Sequence, residues 1–289
     1  MLGLLSAIWG ASYLQIKIGL RDFSPVLVAW GRVALAALVL VVVAKALGEA
    51  HGIGRRWPEV IAIGAVQVAA PFTLISLGET AIASSLAGIL VASSTLLTAV
   101  LAFFFDPDER SEGLRLFGVL LGLAGVGALL GIDLGGGSEL LGGLAVVVAS
   151  LGYAVGGLWI KARMRDVPPT WLAGCVMSGA ALILAPAAIV LAPSEAPSAD
   201  SLIAVVTLGV IGTGVAFALF YGLFARVGPA RTMIVSYLAP AFAVLYGTTL
   251  LGEPIGPGAI VGLAMILTGS WFAAGGRMRL LRRASPQPP

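Results

Sequence analysis

Apolar residues fill long stretches of this chain, and polar residues crowd into the gaps between them. A helix crossing a bilayer needs roughly 20 apolar residues. Ten stretches reach that length, at about 2–20, 26–47, 57–77, 81–105, 113–132, 140–160, 170–192, 201–224, 229–251 and 257–275. None alternates polar and apolar positions as the strands of a membrane barrel do. Backbone groups in lipid must be satisfied within their own segment, so the pattern predicts helices. The gaps read "GEAHGIGRRWPE", "DPDERSEG", "DLGGGSE", "APSEAPSAD" and "GEPIGPG", rich in Gly, Pro and charge. None is long enough to fold as a separate domain. The end, "RMRLLRRASPQPP", is basic and then Pro-rich, which predicts a disordered tail. The expected fold class is an all-α integral membrane protein with ten transmembrane helices.

Basic residues orient the spans. With the N-terminus in the cytoplasm, inward loops hold Lys45, Arg55, Arg56, Arg110, Arg115, Lys161, Arg163, Arg165, Arg226 and Arg231, and the tail adds Arg277, Arg279, Arg282 and Arg283. Outward loops hold only Lys17 and Arg21. Both termini are therefore expected in the cytoplasm, in a plasma membrane of the bacterial inner-membrane kind. Met1 runs straight into apolar sequence without a basic n-region or a cleavage site, so the first stretch reads as a retained span.

The chain also repeats itself. Lys17, Asp22 and Pro25 recur as Lys161, Asp166 and Pro169, and Glu109 recurs as Glu253. Gly118 and Gly125 recur as Gly262 and Gly269 in the same gap-free register. Lys, Asp, Pro and Glu are rare here, so their coincidence carries more weight than the glycines. The expected organisation is a first five-helix repeat over 1–138, a second over 139–275, and a basic cytoplasmic tail over 276–289. Five is odd, so the second copy is inverted. Inverted repeats suit alternating access, with a site near the midplane between the halves.

Composition removes other classes. The chain is 59% hydrophobic and 11% charged, too little charge to cover a water-soluble domain. The net charge of +3 sits in short turns and forms no stripe, which excludes nucleic acid as a partner. One histidine, His51 in a polar gap, and one cysteine, Cys175 in an apolar run, offer no metal site and no internal disulfide. A membrane-embedded enzyme or lipid-handling protein is the rival class. It would need a cluster of acids, His or Cys at membrane depth, and no such cluster is apparent. No nucleotide-binding G-x-x-x-x-G-K-[ST] loop is present. No cofactor, metal or catalytic residue is expected. The partners are the bilayer and a small-molecule substrate. The oligomeric state stays open, a monomer being compatible with the sequence.

The stretches "SAIWGASYLQIKIGL" and "SPVLVAWGRVALAALVL" resemble the opening of EamA-type members of the drug/metabolite transporter superfamily. The second half of each unit resembles them as well. Pro240, Gly252, Glu253 and Gly262 meet the family pattern, whereas the first half has Leu96 in place of the Pro and "DPDE" before its last span. The resemblance covers the whole chain. It implies ten helices and export of small metabolites, commonly amino acids, the best-known exporters of this type handling aromatic ones. Small drug exporters of the superfamily use a glutamate in the first span, which this chain lacks. Phosphate-bearing substrates need several cavity cations. A neutral or zwitterionic cargo remains.

Charge inside a membrane costs roughly 2.5–3.5 kcal/mol on insertion scales, so each such residue is informative. Arg32 is the one basic residue well inside a span. It either attracts a carboxylate or works a gate, or it snorkels or pairs with Asp22. Glu79 lies between spans three and four, as a carrier of a coupled proton if buried, or as a solvated loop residue. Glu109 and Glu253 read as caps or staples of the repeat. Candidate cavity residues are Trp9, Ser12, Tyr13, Gln67, Thr73, Tyr153, Trp159, Tyr221, Ser236 and Tyr237, with Gln15, Ser76, Thr213, Phe217 and Tyr246 beside them. Trp9 and Tyr153 are equivalent in the repeat, so two rings are expected to flank the pseudo-axis.

Overall fold

The computed structural model describes residues 1–105, 113–132 and 136–273. Glu109, Arg110 and the tail at 276–289 lie outside the described residues. The ten spans are α1 (Leu2–Gly19), α2 (Pro25–Ala46), α3 (Trp57–Glu79), α4 (Ser84–Phe104), α5 (Leu114–Ile132), α6 (Ser138–Arg163), α7 (Pro169–Val190), α8 (Ala199–Val227), α9 (Ile234–Leu250) and α10 (Pro257–Ala273). Seven of these are long and apolar enough to cross a membrane. Helices α9 and α10 are shorter, and α1 carries Gln15 and Lys17 within its length.

Local chemistry sets the helix starts. At α2, Ser24 accepts from the Leu27 amide at 3.3 Å and Pro25 fills the first helical position. Ser198 does the same for α8, accepting from Ser201 N at 3.3 Å. Four features depart from smooth helices. Helix α3 contains a π-helical turn at Ala65–Ala69 and α8 one at Val210–Val215, nearly equivalent places in the repeat. Helix α4 breaks at Ala92–Ser93, where Ser93 Oγ donates to Leu90 O at 2.6 Å. Helix α9 starts at Ile234 and not near 229, because Pro229–Thr232 forms a separate helical turn.

The halves interlock. Helix α5 packs on α10 and α2 on α7, each pair joining repeat-equivalent helices. Helix α1 packs on α9 as α6 packs on α4, and α3 packs on α6 as α8 packs on α1. This is the arrangement of a pseudo-two-fold axis. The α5–α10 contact shows the inversion directly. A Cβ added at Gly118 would lie 2.6 Å from Gly269 O, and one at Gly125 would lie 3.1 Å from Gly262 O. Rising numbers on one helix thus meet falling numbers on the other, so the two run antiparallel. Gly127 and Gly131 face open space. Large apolar residues such as Leu38, Leu120, Leu182, Ile189 and Leu250 are exposed on the outer faces of the helices, where lipid receives them.

The paired aspartates tie the halves at opposite ends. Asp22 accepts from Ser198 N at 2.9 Å and from the Ser198 hydroxyl, binding the α1–α2 turn to the start of α8. Asp166 accepts from both terminal nitrogens of Arg56, at 3.0 and 2.6 Å, binding the α6–α7 turn to the start of α3. The Ser198 hydroxyl and amide hold the Asp22 carboxyl below its usual range, and the Arg56 guanidinium does so for Asp166.

Candidate functional site

A cavity of about 680 Å³ lies between the halves. One end is walled by α1, α2, α3, α6 and α8 near the middle of the bundle. The other reaches Lys161, Met164, Arg165 and Val167 at the α6–α7 turn and Phe224 near the end of α8. Basic residues mark that end as cytoplasmic. The cavity therefore opens inward.

Arg32 forms its polar centre. The side chain is 8% exposed and its Nε donates to Thr213 Oγ1 at 2.8 Å. Thr213 in turn donates to Leu208 O, five residues back, at 2.9 Å, a reach that fits the π-helical turn it sits in. The guanidinium carbon stands 3.8 Å from the centre of the Phe72 ring, a cation–π contact. Arg32 neither snorkels nor pairs with Asp22, whose carboxylate is taken up by Ser198. Thr213 is its one hydrogen-bond partner among the described residues. The guanidinium keeps further donors for a ligand.

Gln67 enters from the π-helical turn of α3. That turn presses on α6 where Gly152 and Gly156 leave room: a Cβ at 152 would stand 2.6 Å from Val66 O. Aromatic rings build one part of a mostly apolar wall. Trp9 packs on Phe217 and Phe220 of α8, at 5.8 and 5.2 Å between centroids. Tyr153 packs edge-on against Phe72 of α3 at 6.2 Å. The α1–α8 cluster and the α6–α3 pair are related by the repeat to within one position.

Of the residues singled out from sequence, Trp9, Ser12, Tyr13, Arg32, Gln67, Tyr153, Phe217, Tyr221 and Ser236 line the cavity, whereas Gln15, Ser76, Thr213 and Tyr246 lie off it. Thr73, Trp159 and Tyr237 do not line it either. Thr73 Oγ1 is buried with no partner. Trp159 donates to Glu59 Oε1 at 2.9 Å on the cytoplasmic side. Tyr237 donates to Ser270 O at 3.3 Å in the α9–α10 contact. Glu79 is off the cavity and fully buried, so it is no solvated loop residue. Glu253 staples rather than caps its own half: it accepts from Ser84 N and Ser85 N, at 2.7 and 3.0 Å, at the start of α4. Phe72, Phe220, Ser94 and Thr95 were not anticipated. A phenylalanine in an apolar span has no contrast with its neighbours, and the hydroxyls join the wall only because α4 breaks beside them.

The outer end is closed. Lys17 Nζ donates to Glu79 O at 2.6 Å and Ile82 O at 2.9 Å, pinning the α3–α4 turn to α1. Glu253 holds α4 to the α9–α10 turn beside it. Burial works against ionised Glu253, yet the two serine amides outweigh it and keep the carboxyl below its usual range.

The sequence pattern of the EamA-like transporter family matches residues 1–131 and again 140–275. The chain belongs to the EamA-like transporter family. It is a multi-pass membrane transporter, not an enzyme, and its EamA unit is duplicated. One relative, "Uncharacterized inner membrane transporter YedA" of Escherichia coli, is 26% identical over 259 residues, 87% of this chain and 82% of the relative. The "Probable amino-acid metabolite efflux pump" of Salmonella typhimurium is 25% identical over 298 residues, 98% of this chain and 96% of the relative. One solved crystal structure superposes with a TM-score of 0.68 at 23% identity, covering 94% of this chain and 95% of the other, so the two share a fold.

Proposed function

We propose that this EamA-family protein exports amino acids with apolar or aromatic side chains across the inner membrane, by alternating access between its two inverted halves. The observation that carries the reading is Arg32, a single buried guanidinium held by Thr213 and Phe72 and facing a cavity of about 680 Å³ whose largely apolar wall includes a cluster of aromatic rings. One cation matches one carboxylate, and charge-assisted hydrogen bonds to it are among the stronger polar contacts. The rings offer apolar area to a side chain, and their faces attract the ammonium group of a zwitterion. Phosphate-bearing cargo would find one buried cation at the centre, with Lys161 and Arg165 only at the cytoplasmic mouth. The name of the Salmonella relative, an amino-acid metabolite efflux pump, points the same way, and that of the Escherichia relative supports the inner membrane.

Purified protein in proteoliposomes loaded with a panel of unlabelled amino acids tests this by counterflow of labelled substrate. Exchange is expected for one or more apolar or aromatic amino acids, preceded by a rise in thermal stability when the same compounds are added. Absence of stimulated exchange across the whole panel overturns the reading.

A further inference from the structure

The closed outer end contains a carboxyl group that substrate recognition does not use. Glu79 is 0% exposed, and neither of its carboxyl oxygens has a hydrogen-bond partner. Ser84 Oγ, on the same turn, is buried without a partner too. Lys17 on α1 is close, yet its ammonium group is committed to the main-chain oxygens of Glu79 and Ile82. The other groups acting on the carboxyl are Glu253 on the α9–α10 turn, Arg32 on α2 and Tyr13 on α1. Helix α6 covers Gly78 with Gly142 and Val146, and its Glu139 is exposed. An ionised carboxylate in this place would have lost its water, gained no donor, and met a second carboxylate. A neutral acid suits the same surroundings.

We propose that Glu79 is a proton-binding site of the outer gate, protonated while the gate is closed and ionised when it opens. Opening parts the α3–α4 turn from α1 and brings water to the carboxyl. The O–H bond then breaks, the proton passes to external water, and the carboxylate left behind faces the released ammonium of Lys17. Glu79 is absent from the cavity wall, so the proton enters and leaves from outside. External acid therefore favours the inward-open form. The proton acts on the gate and is not carried across. This rests on the transport reading only in requiring an outward-open state.

Right-side-out membrane vesicles carrying Ile82→Cys test the site with a membrane-impermeant maleimide. Ile82 is buried in the closed gate, and the native Cys175 is buried in α7. A second protein with Ser194→Cys, in the exposed α7–α8 loop, corrects for thiolate ionisation. Between about pH 8 and about pH 5.5 outside, corrected labelling at position 82 is expected to fall roughly fivefold or more. With Glu79→Gln added, labelling should be low and independent of pH. Equal pH slopes with and without Glu79→Gln, or no slope in either, overturn the proposal. Infrared difference spectra of the unmodified protein need no folded variant. Loss of a protonated-carboxyl band on alkalinisation is expected, and its persistent absence overturns the assignment. Amino-acid counterflow is measured beside these. Its failure with gate titration intact removes the proposed cargo and leaves the proton site standing.

Discussion

Arg32 is seated before any ligand arrives. Thr213 fixes its Nε and Phe72 lies under its plane, so the donors left over point where the cavity is. Hydrogen bonds to charged groups contribute about 1.5–3 kcal/mol. Arg32→Gln should therefore raise the half-saturating amino-acid concentration about 10- to 100-fold in counterflow. Arg32→Lys keeps the charge but not the planar fork, and should fall between the two. Glu253 gives a residue-scale test of stability. Its folded-state pKa is depressed, so its contribution is complete above the unfolded value of about 4.3 and is lost as pH falls through the folded value. Partial exposure reduces it to about 0.5–1 kcal/mol. Melting curves of Glu253→Gln should lie below those of the parent near neutral pH and converge with them toward pH 3. Arg32 was legible in the sequence because a lone charge in an apolar span stands out. The burial of Glu79 was not, because Lys17 and Glu253 reach it from positions far away along the chain.

Helices followed from apolar length alone, and their interruptions did not. The π-helical turns of α3 and α8 rest on packing against α6 and α2, where Gly152 admits Val66 and Gly214 meets Val39. The break in α4 arises without the proline that the second half carries at Pro240. Hydroxyls take its place: Thr95 Oγ1 bonds Ala92 O at 3.0 Å and Ser270 Oγ at 2.8 Å. The glycines of α5 divide by what they meet. Gly118 and Gly269 touch each other's backbone, so Gly118→Ala should cost about 1–3 kcal/mol by forcing α5 from α10. Gly127→Ala, in open space on the same helix, should be neutral or slightly stabilising. Thermal unfolding in one detergent compares the two directly.

At the scale of the whole molecule, the same repeat that places Lys17 outside places Lys161 inside. Impermeant labelling of Lys17→Cys and Lys161→Cys in intact cells should reach the first and spare the second until the membrane is opened. Lys17 closes the outer end through the carbonyls of Glu79 and Ile82. The repeat maps those positions onto Leu223 and Arg226, and Lys17 onto Lys161, which lines the inward mouth. Lys17→Met should therefore raise outside labelling at position 82, and Lys161→Met should lower it. Changes of the same sign in both would contradict exchange of shape between the halves. Most of this plan was readable from a few rare residues in register. The direction in which the cavity opens was not, because both shapes obey one sequence.

The meeting of α5 with α10 has a consequence for ancestry. Gly118 faces Gly269 and Gly125 faces Gly262, and each of these contacts is the image of the other. A lone five-helix unit would present that seam to a twin threaded upside down through the lipid, and the pair would zip together with no new surface. Joining the twins into one polypeptide fixes their opposed insertion and frees each to diverge, as Leu96 already has from Pro240.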